Sequence, residues 1–136
     1  SSTLMTEDAG VPFHELQAEQ IRLFREAWAK AGHEREPRVS VSRSIFAPDA
    51  DRDRASFGRG SQDVDQVGYL DAQTKAIFGR SYAAGPDVLV TELAKDTPVQ
   101  AADTLMLTVP NQLGVAYNAH AIESILKFVA PELGWR

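Results

Sequence analysis

From Pro12 to about Ala31, apolar residues recur at Leu16, Leu23, Phe24, Ala27, Trp28 and Ala31. That spacing follows the 3.6-residue period of a helix with one buried face. Glu19, Arg22, Arg25, Glu26 and Lys30 fill the solvent side, Pro12 suits the first turn, and Gly32 suits the C-terminal cap. The period then changes to two. In "RVSVSRSIF", Arg38 to Phe46, one face carries Val39, Val41, Arg43 and Ile45, and the other Ser40, Ser42, Ser44 and Phe46. This alternation predicts a strand. A surface strand would turn charged residues outward. A row of serines instead suits a tight interior, such as a barrel lumen or the floor of a ligand site.

Further on, "GPDVLVTELAKD" opens a second helix, with Val88, Leu89 and Leu93 on one side. "DTLMLTVP", Asp103 to Pro110, has the length and boundaries of a buried strand. A last helix is expected from about Val115 to Ala130, with Val115, Ala119, Ile122, Leu126 and Val129 as its core stripe and Pro131 as its stop. At the start of the chain, Leu4 and Met5 read as the tail of a strand. Residues 47–85 hold Gly58, Gly60, Gly68, Gly79 and Gly85. Short helices are expected there at Asp51–Phe57 and Asp71–Phe78, the second with Asp71 as its N-cap. A strand-to-helix link usually takes about 2–6 residues, so this stretch reads as an inserted lid or binding loop, or else as a disordered segment.

The order is strand tail, helix, strand, insertion, helix, strand, helix. Such alternation predicts an α/β fold with a parallel sheet and helices packed outside it. Two full strands and a tail make too small a sheet, because parallel strands are normally covered on both faces. The 136 residues suffice for one ordinary domain, but a complete eight-stranded barrel needs about 250. If the strands are barrel staves, either another chain supplies the missing staves or residues 1–136 are a single partial barrel segment of a longer polypeptide, with 47–85 as a glycine-rich insertion inside it.

Composition narrows the chemistry. Hydrophobic residues make up 43% and charged residues 24%, so the chain can build a core. The net charge of -5 supplies no basic stripe for a phosphate backbone, which argues against a nucleic-acid partner. No apolar run approaches the roughly 20 residues of a membrane span. The absence of cysteine excludes disulfides and thiolate chemistry, and fits a cytoplasmic setting. His14, His33 and His120 show no ligand spacing, so no metal site is expected. Asp49, Asp51 and Asp53 alternate like a calcium loop but lack its glycine and its closing glutamate. No G-x-S-x-G elbow supports a hydrolase.

Four features together resemble the C-terminal portion of the bacterial luciferase-like, flavin-dependent monooxygenases. The helix and strand "HELQAEQIRLFREAWAKAGHEREPRVSVSRSIF" are similar to that family's approach to strand seven. The glycine-rich insertion follows in the right place. "GPDVLVTELAKD" is similar to the family's restart of helix seven. "ADTLMLTVPN" is similar to its eighth strand, followed by a closing helix that ends near "VAPELGWR". The resemblance implies the part of a TIM-type (β/α)8 barrel around strands 6/7–8, incomplete as given. It implies an oxidoreductase that uses reduced flavin (FMN) and O2 on a small organic substrate, with a deazaflavin in some relatives and a flavin reductase as a possible partner. In that family the phosphate site and most catalytic groups lie earlier in the chain, so the resemblance assigns no catalytic residue here. The other reading is a non-catalytic α/β module that self-associates as a homo-oligomer to cover its sheet.

Barrel active sites lie at the C-terminal ends of the strands, which makes a few residues candidates for lining a cofactor or substrate. Asn111 and Gln112, after the last strand, offer donors and acceptors, or else cap the helix behind them. Arg43 offers a planar cation to an anionic group, or else forms a salt bridge to one of the 19 carboxylates or curls into solvent. Strict alternation puts it on the helix side, which weighs against the first role unless a bulge intervenes. Ser44, with Ser40 and Ser42, lines the interior or simply fills it. Arg59, in "GRGS", could sit in an anion-binding nest, and Arg80 and Tyr82, in "FGRSYAAG", are a second lid candidate.

Overall fold

A computed structural model describes residues 4–5, 10–46, 62–69, 75–108 and 114–135. The elements are β1 (Leu4–Met5), α1 (Phe13–Lys30), β2 (Ser40–Phe46), β3 (Gln62–Tyr69), β4 (Lys75–Ala83), α2 (Pro86–Leu93), α3 (Thr97–Ala101), β5 (Thr104–Leu107) and α4 (Gly114–Ser124), which runs into a π-helical turn at Ile125–Val129. The five strands form one sheet in the order β1-β4-β2-β5, with β3 also paired along β4.

Its centre is parallel. β2 pairs with β5 through Ser40–Thr104 to Arg43–Leu107, and with β4 through Ser44–Ser81 to Phe46–Ala83. The parallel β2–β5 pair matches the adjacency expected of successive strands joined by helices. The other edge of β2 is held by β4, while the N-terminal β1 pairs antiparallel with β4. The expected helix at Asp71–Phe78 is corrected: Lys75–Ala83 is a strand, antiparallel to β3. The expectation of a lid over residues 47–85 is corrected at its end, where β4 carries Tyr82 into the core. The expected helix at Asp51–Phe57 lies outside the described residues.

The reason this strand escapes a period-two reading is a bulge. Asp65 pairs with Arg80 and Val67 with Ile77, so β4 spends more residues than β3 over the same stretch. Gly79 sits inside it at φ +88°. A Cβ there would come within 3.0 Å of Arg43 Nη1 and 3.3 Å of the Phe13 ring. Glycine thus serves both the backbone conformation and the close approach.

All the described helices pack on one face of the sheet. Ile45 and Tyr82 meet Leu89 and Leu93 of α2 and Ile125 and Val129 of the last helix. Val41 meets Ile21 of α1 and Val99 of α3. Leu105 and Trp135 touch both clusters.

Two helices use a different face from the one their hydrophobic pattern predicts. In α1 the buried residues are Phe13, Gln17 and Ile21, spaced by four, while Leu23 and Phe24 remain exposed. Gln17 is polar, and it is buried because it has a buried partner on β2. In the last helix the buried residues are Ala121, Ile125 and Val129, whereas Val115 is 87% and Leu126 61% exposed. The π turn, closed by the Ala130 N–H donating to the Ile125 carbonyl at 2.9 Å, breaks the 3.6-residue period on which the expected stripe rests.

Gly79→Ala should destabilise the fold by roughly 1–3 kcal/mol, the usual cost of a side chain held at a positive φ. Urea unfolding checks this. Gly85→Ala, where an added Cβ meets nothing within 4 Å, should cost clearly less.

Candidate functional site

Two features of β2 could carry function: the arginine on its helix side and the serines on its other side. The arginine comes first. Arg43 and Asp96 side chains are each about 1% exposed. Arg43 Nε donates to Asp96 Oδ2 at 2.7 Å and Nη2 to Asp96 Oδ1 at 2.9 Å, a two-pronged pair. Nη2 also donates to Gln17 Oε1 at 2.8 Å, and Nη1 to the Ser42 carbonyl at 2.9 Å. The Tyr82 hydroxyl donates to Asp96 Oδ2 at 2.6 Å, and the Val99 N–H to Asp96 Oδ1 at 3.3 Å.

Local sequence explains each position. Asp96 is the N-cap of α3, an ordinary aspartate role. Tyr82 stands beside Ile45 in register on β4. Arg43 faces the helices because β2 alternates strictly.

The electrostatics follow from the geometry. Burial alone would raise the Asp96 carboxyl. The Arg43 guanidinium, through its hydrogen bonds and its charge, outweighs burial and, with Tyr82 and the Val99 amide, holds Asp96 below its ordinary value. Burial first, then the hydrogen bond to ionised Asp96, pushes the Tyr82 phenol up, so it stays a neutral donor. Every contact here is satisfied within the protein. Arg43 as a contact for an anionic cofactor or substrate is thereby corrected: its guanidinium is committed to Asp96.

The other face of the sheet is of a different kind. Register partners share a face, so Ser40 and Thr104, Ser42 and Met106, and Ser44 and Ser81 all point away from the helices. Ser42 Oγ and Thr108 Oγ1 lie 3.2 Å apart and share a hydrogen bond. Ser44 is buried, Ser42 half-buried and Met106 40% exposed. None of the described helices packs on this hydroxyl-rich surface.

Of the remaining expected residues, Arg80 lies half-buried on β4 near Tyr82, and its charge partly offsets the rise of that phenol. Arg59, Asn111 and Gln112 lie outside the described residues. A shallow surface groove between α2 and the last helix is lined by Pro86, Asp87, Val90, Phe128 and Glu132. It brings together no set of chemical groups. Among the described residues no cluster of three or more His, Asp or Glu could hold a metal ion, and no helix is long and apolar enough to cross a membrane.

Sequence reasoning missed Asp96 and Gln17, and it took Tyr82 only as a lid candidate beside Arg80, whereas Tyr82 is buried in the core. The signal available was a polar residue, Gln17, four residues from Phe13 and from Ile21. No family model matches the chain, and no curated protein or solved structure matches it either.

Asp96→Ala should cost roughly 3–5 kcal/mol, because it strands a buried guanidinium. Replacing Arg43 and Asp96 together by leucine should cost less than the sum of the two single changes, and urea melts of all four proteins check the coupling. The pH dependence has a definite sign. A depressed folded-state value adds stability above the unfolded value of about 3.9, and that stability is lost as pH falls through the folded value. Acid unfolding below about pH 4 should therefore be steeper in the native chain than in Asp96→Asn.

Proposed function

We propose that this chain is part of a flavin-dependent oxidoreductase barrel of the luciferase-like class. In this reading the hydroxyl-rich face of β2, β4 and β5 forms one wall of the cavity for flavin and substrate. The observation that carries the reading is the asymmetry of the sheet. A parallel sheet is normally covered on both faces, yet all the described helices lie on one. The opposite face is neither charged like a solvent surface nor apolar like a core. It presents Ser40, Ser42, Ser44, Ser81, Thr104 and Thr108, with Met106 and Phe46 beside them, a mixture that suits a polar aromatic ring system.

The fit to a flavin is partial. Hydroxyl groups both donate and accept, as the polar edge of the ring requires, and Met106 and Phe46 offer apolar contact to its other end. Arg43, on the same strand as the wall, is spent on Asp96, and the wall's own described side chains carry no cation, so the phosphate falls to residues outside it. When bound, reduced flavin supplies the electrons that activate O2. The chain's own part is to bind and orient the ring and to keep water from one side of it. A deazaflavin would meet the same wall.

A second reading is a self-associating α/β module without flavin. The observation that favours it is the complete internal satisfaction of the Arg43–Asp96 cluster, which leaves that cluster nothing to do but hold the fold.

Titration with oxidised and with reduced FMN, followed by fluorescence and calorimetry, separates the two. The flavin reading expects saturable one-site binding that Ser42→Leu weakens at least tenfold without lowering the melting temperature. Absence of saturable binding by FMN and by a deazaflavin contradicts it.

A further inference from the structure

Among the described residues, one edge of β5 has no strand partner. In the ladder with β2, the Thr104 N–H donates to the Val39 carbonyl at 3.1 Å and the Thr108 N–H to the Arg43 carbonyl at 3.0 Å. Strand alternation then turns the N–H and C=O of Leu105 and Leu107 to the opposite side. Among the described residues β5 pairs with β2 alone, so these four backbone groups line the outer edge. Beyond its short length, the edge carries none of the usual blocks. Thr104–Leu107 contains no charge and no proline, and its ladder with β2 runs in unbroken register.

The geometry points to a second copy of this chain as the occupant, paired β5 to β5 in antiparallel fashion across a two-fold axis through Met106. Parity selects that register. Residues facing each other across an antiparallel pair must lie on the same face of the sheet, so the axis must pass through a residue rather than between two. With the axis at Met106, Leu105 faces Leu107 of the second copy and Leu107 faces Leu105. Both are hydrogen-bonded pairs, and all four outward groups are satisfied. An axis at Leu105 would instead set Leu107 against Asp103, whose N–H already donates to the Val39 carbonyl at 2.9 Å. Side chains match as well. The helix-facing leucines adjoin leucines, Thr104 adjoins Thr108, and Met106, which is 40% exposed, covers its own copy. The pairing is isologous and closes on itself. It joins two five-stranded sheets and makes the hydroxyl-rich face continuous across the axis. It requires no flavin and rests on the self-associating reading above, because closure of a barrel would occupy the same edge.

The absence of cysteine gives a clean test. Facing residues at a non-hydrogen-bonded antiparallel pair sit with Cα atoms about 4.5 Å apart, within the range a disulfide spans. Met106→Cys should therefore link two copies under mild oxidation. Thr104→Cys, on the same face, would lie about 14 Å from its own counterpart, four residues away at about 3.4 Å each, and should stay unlinked. Light scattering of the unmodified chain should give a dimer, and Leu105→Pro, which removes one outward N–H, should shift it toward monomer. A monomer at tens of micromolar overturns the proposal. So does a dimer in which the Thr104→Cys variant links as readily as Met106→Cys, because that dimer uses another surface.

Discussion

A guanidinium on the covered face of a parallel strand must find an anion inside the protein. Arg43 has that position because β2 alternates, and neither helix packing nor strand pairing leaves it a route to water. Its partner Asp96 caps a helix, and the same carboxylate also receives Tyr82 and the Val99 amide. The pair therefore fixes three separations at once: β2 to the α2–α3 turn, β4 to that turn, and, through Gln17, β2 to α1. Val41 and Ile45, on either side of Arg43, belong to two different apolar clusters. The polar cluster occupies the seam between them. Such a pair adds little net energy compared with a well-packed apolar substitute, but losing one member leaves a buried charge without compensation. Its consequence is positional: it fixes which face of β2 looks at the helices and so which face carries the serines.

That division of faces links fold to function. With Arg43 committed inward, the chemistry open to other molecules is what remains on the far side of the sheet. This is a set of small hydroxyls with a methionine and a phenylalanine nearby. In the proposed reading these groups bind and orient a ligand rather than transfer a proton or attack it. A wall of this kind gains its function from what stands opposite it.

Some of this could be read in the residues and some could not. The alternation in "RVSVSRSIF" placed β2 and both its faces, and the carboxylate alternative for Arg43 proved to be the one the protein uses. The run "TLML" gave β5, although as an edge strand it is half-covered rather than buried. Three helix positions were legible, but the short α3 at Thr97–Ala101 was not expected, and two buried faces could not be read. Gln17 carries no hydrophobic signal, so the stripe through Phe13 and Ile21 was hidden behind the stronger but exposed Leu23 and Phe24. The π turn at Ile125–Val129 shifts the phase of the last helix, which no fixed period can follow. β3 and β4 were missed because glycine at 68 and 79 reads as loop. At 79 it instead makes a bulge that lets the strand pass close to Arg43.

The most direct test of this account is hydrogen exchange at the Arg43 side chain, read by nuclear magnetic resonance on arginine-labelled protein. The account predicts a single guanidinium Nε–H that exchanges slowly near neutral pH, with protection equal to that of the most protected β2 amides, because both open only when the sheet unfolds. A rapidly exchanging Arg43 Nε–H beside protected β2 amides would contradict it. The arginine would then be reachable by water and free for other partners, and the division of the sheet into a locked face and a working face would fail.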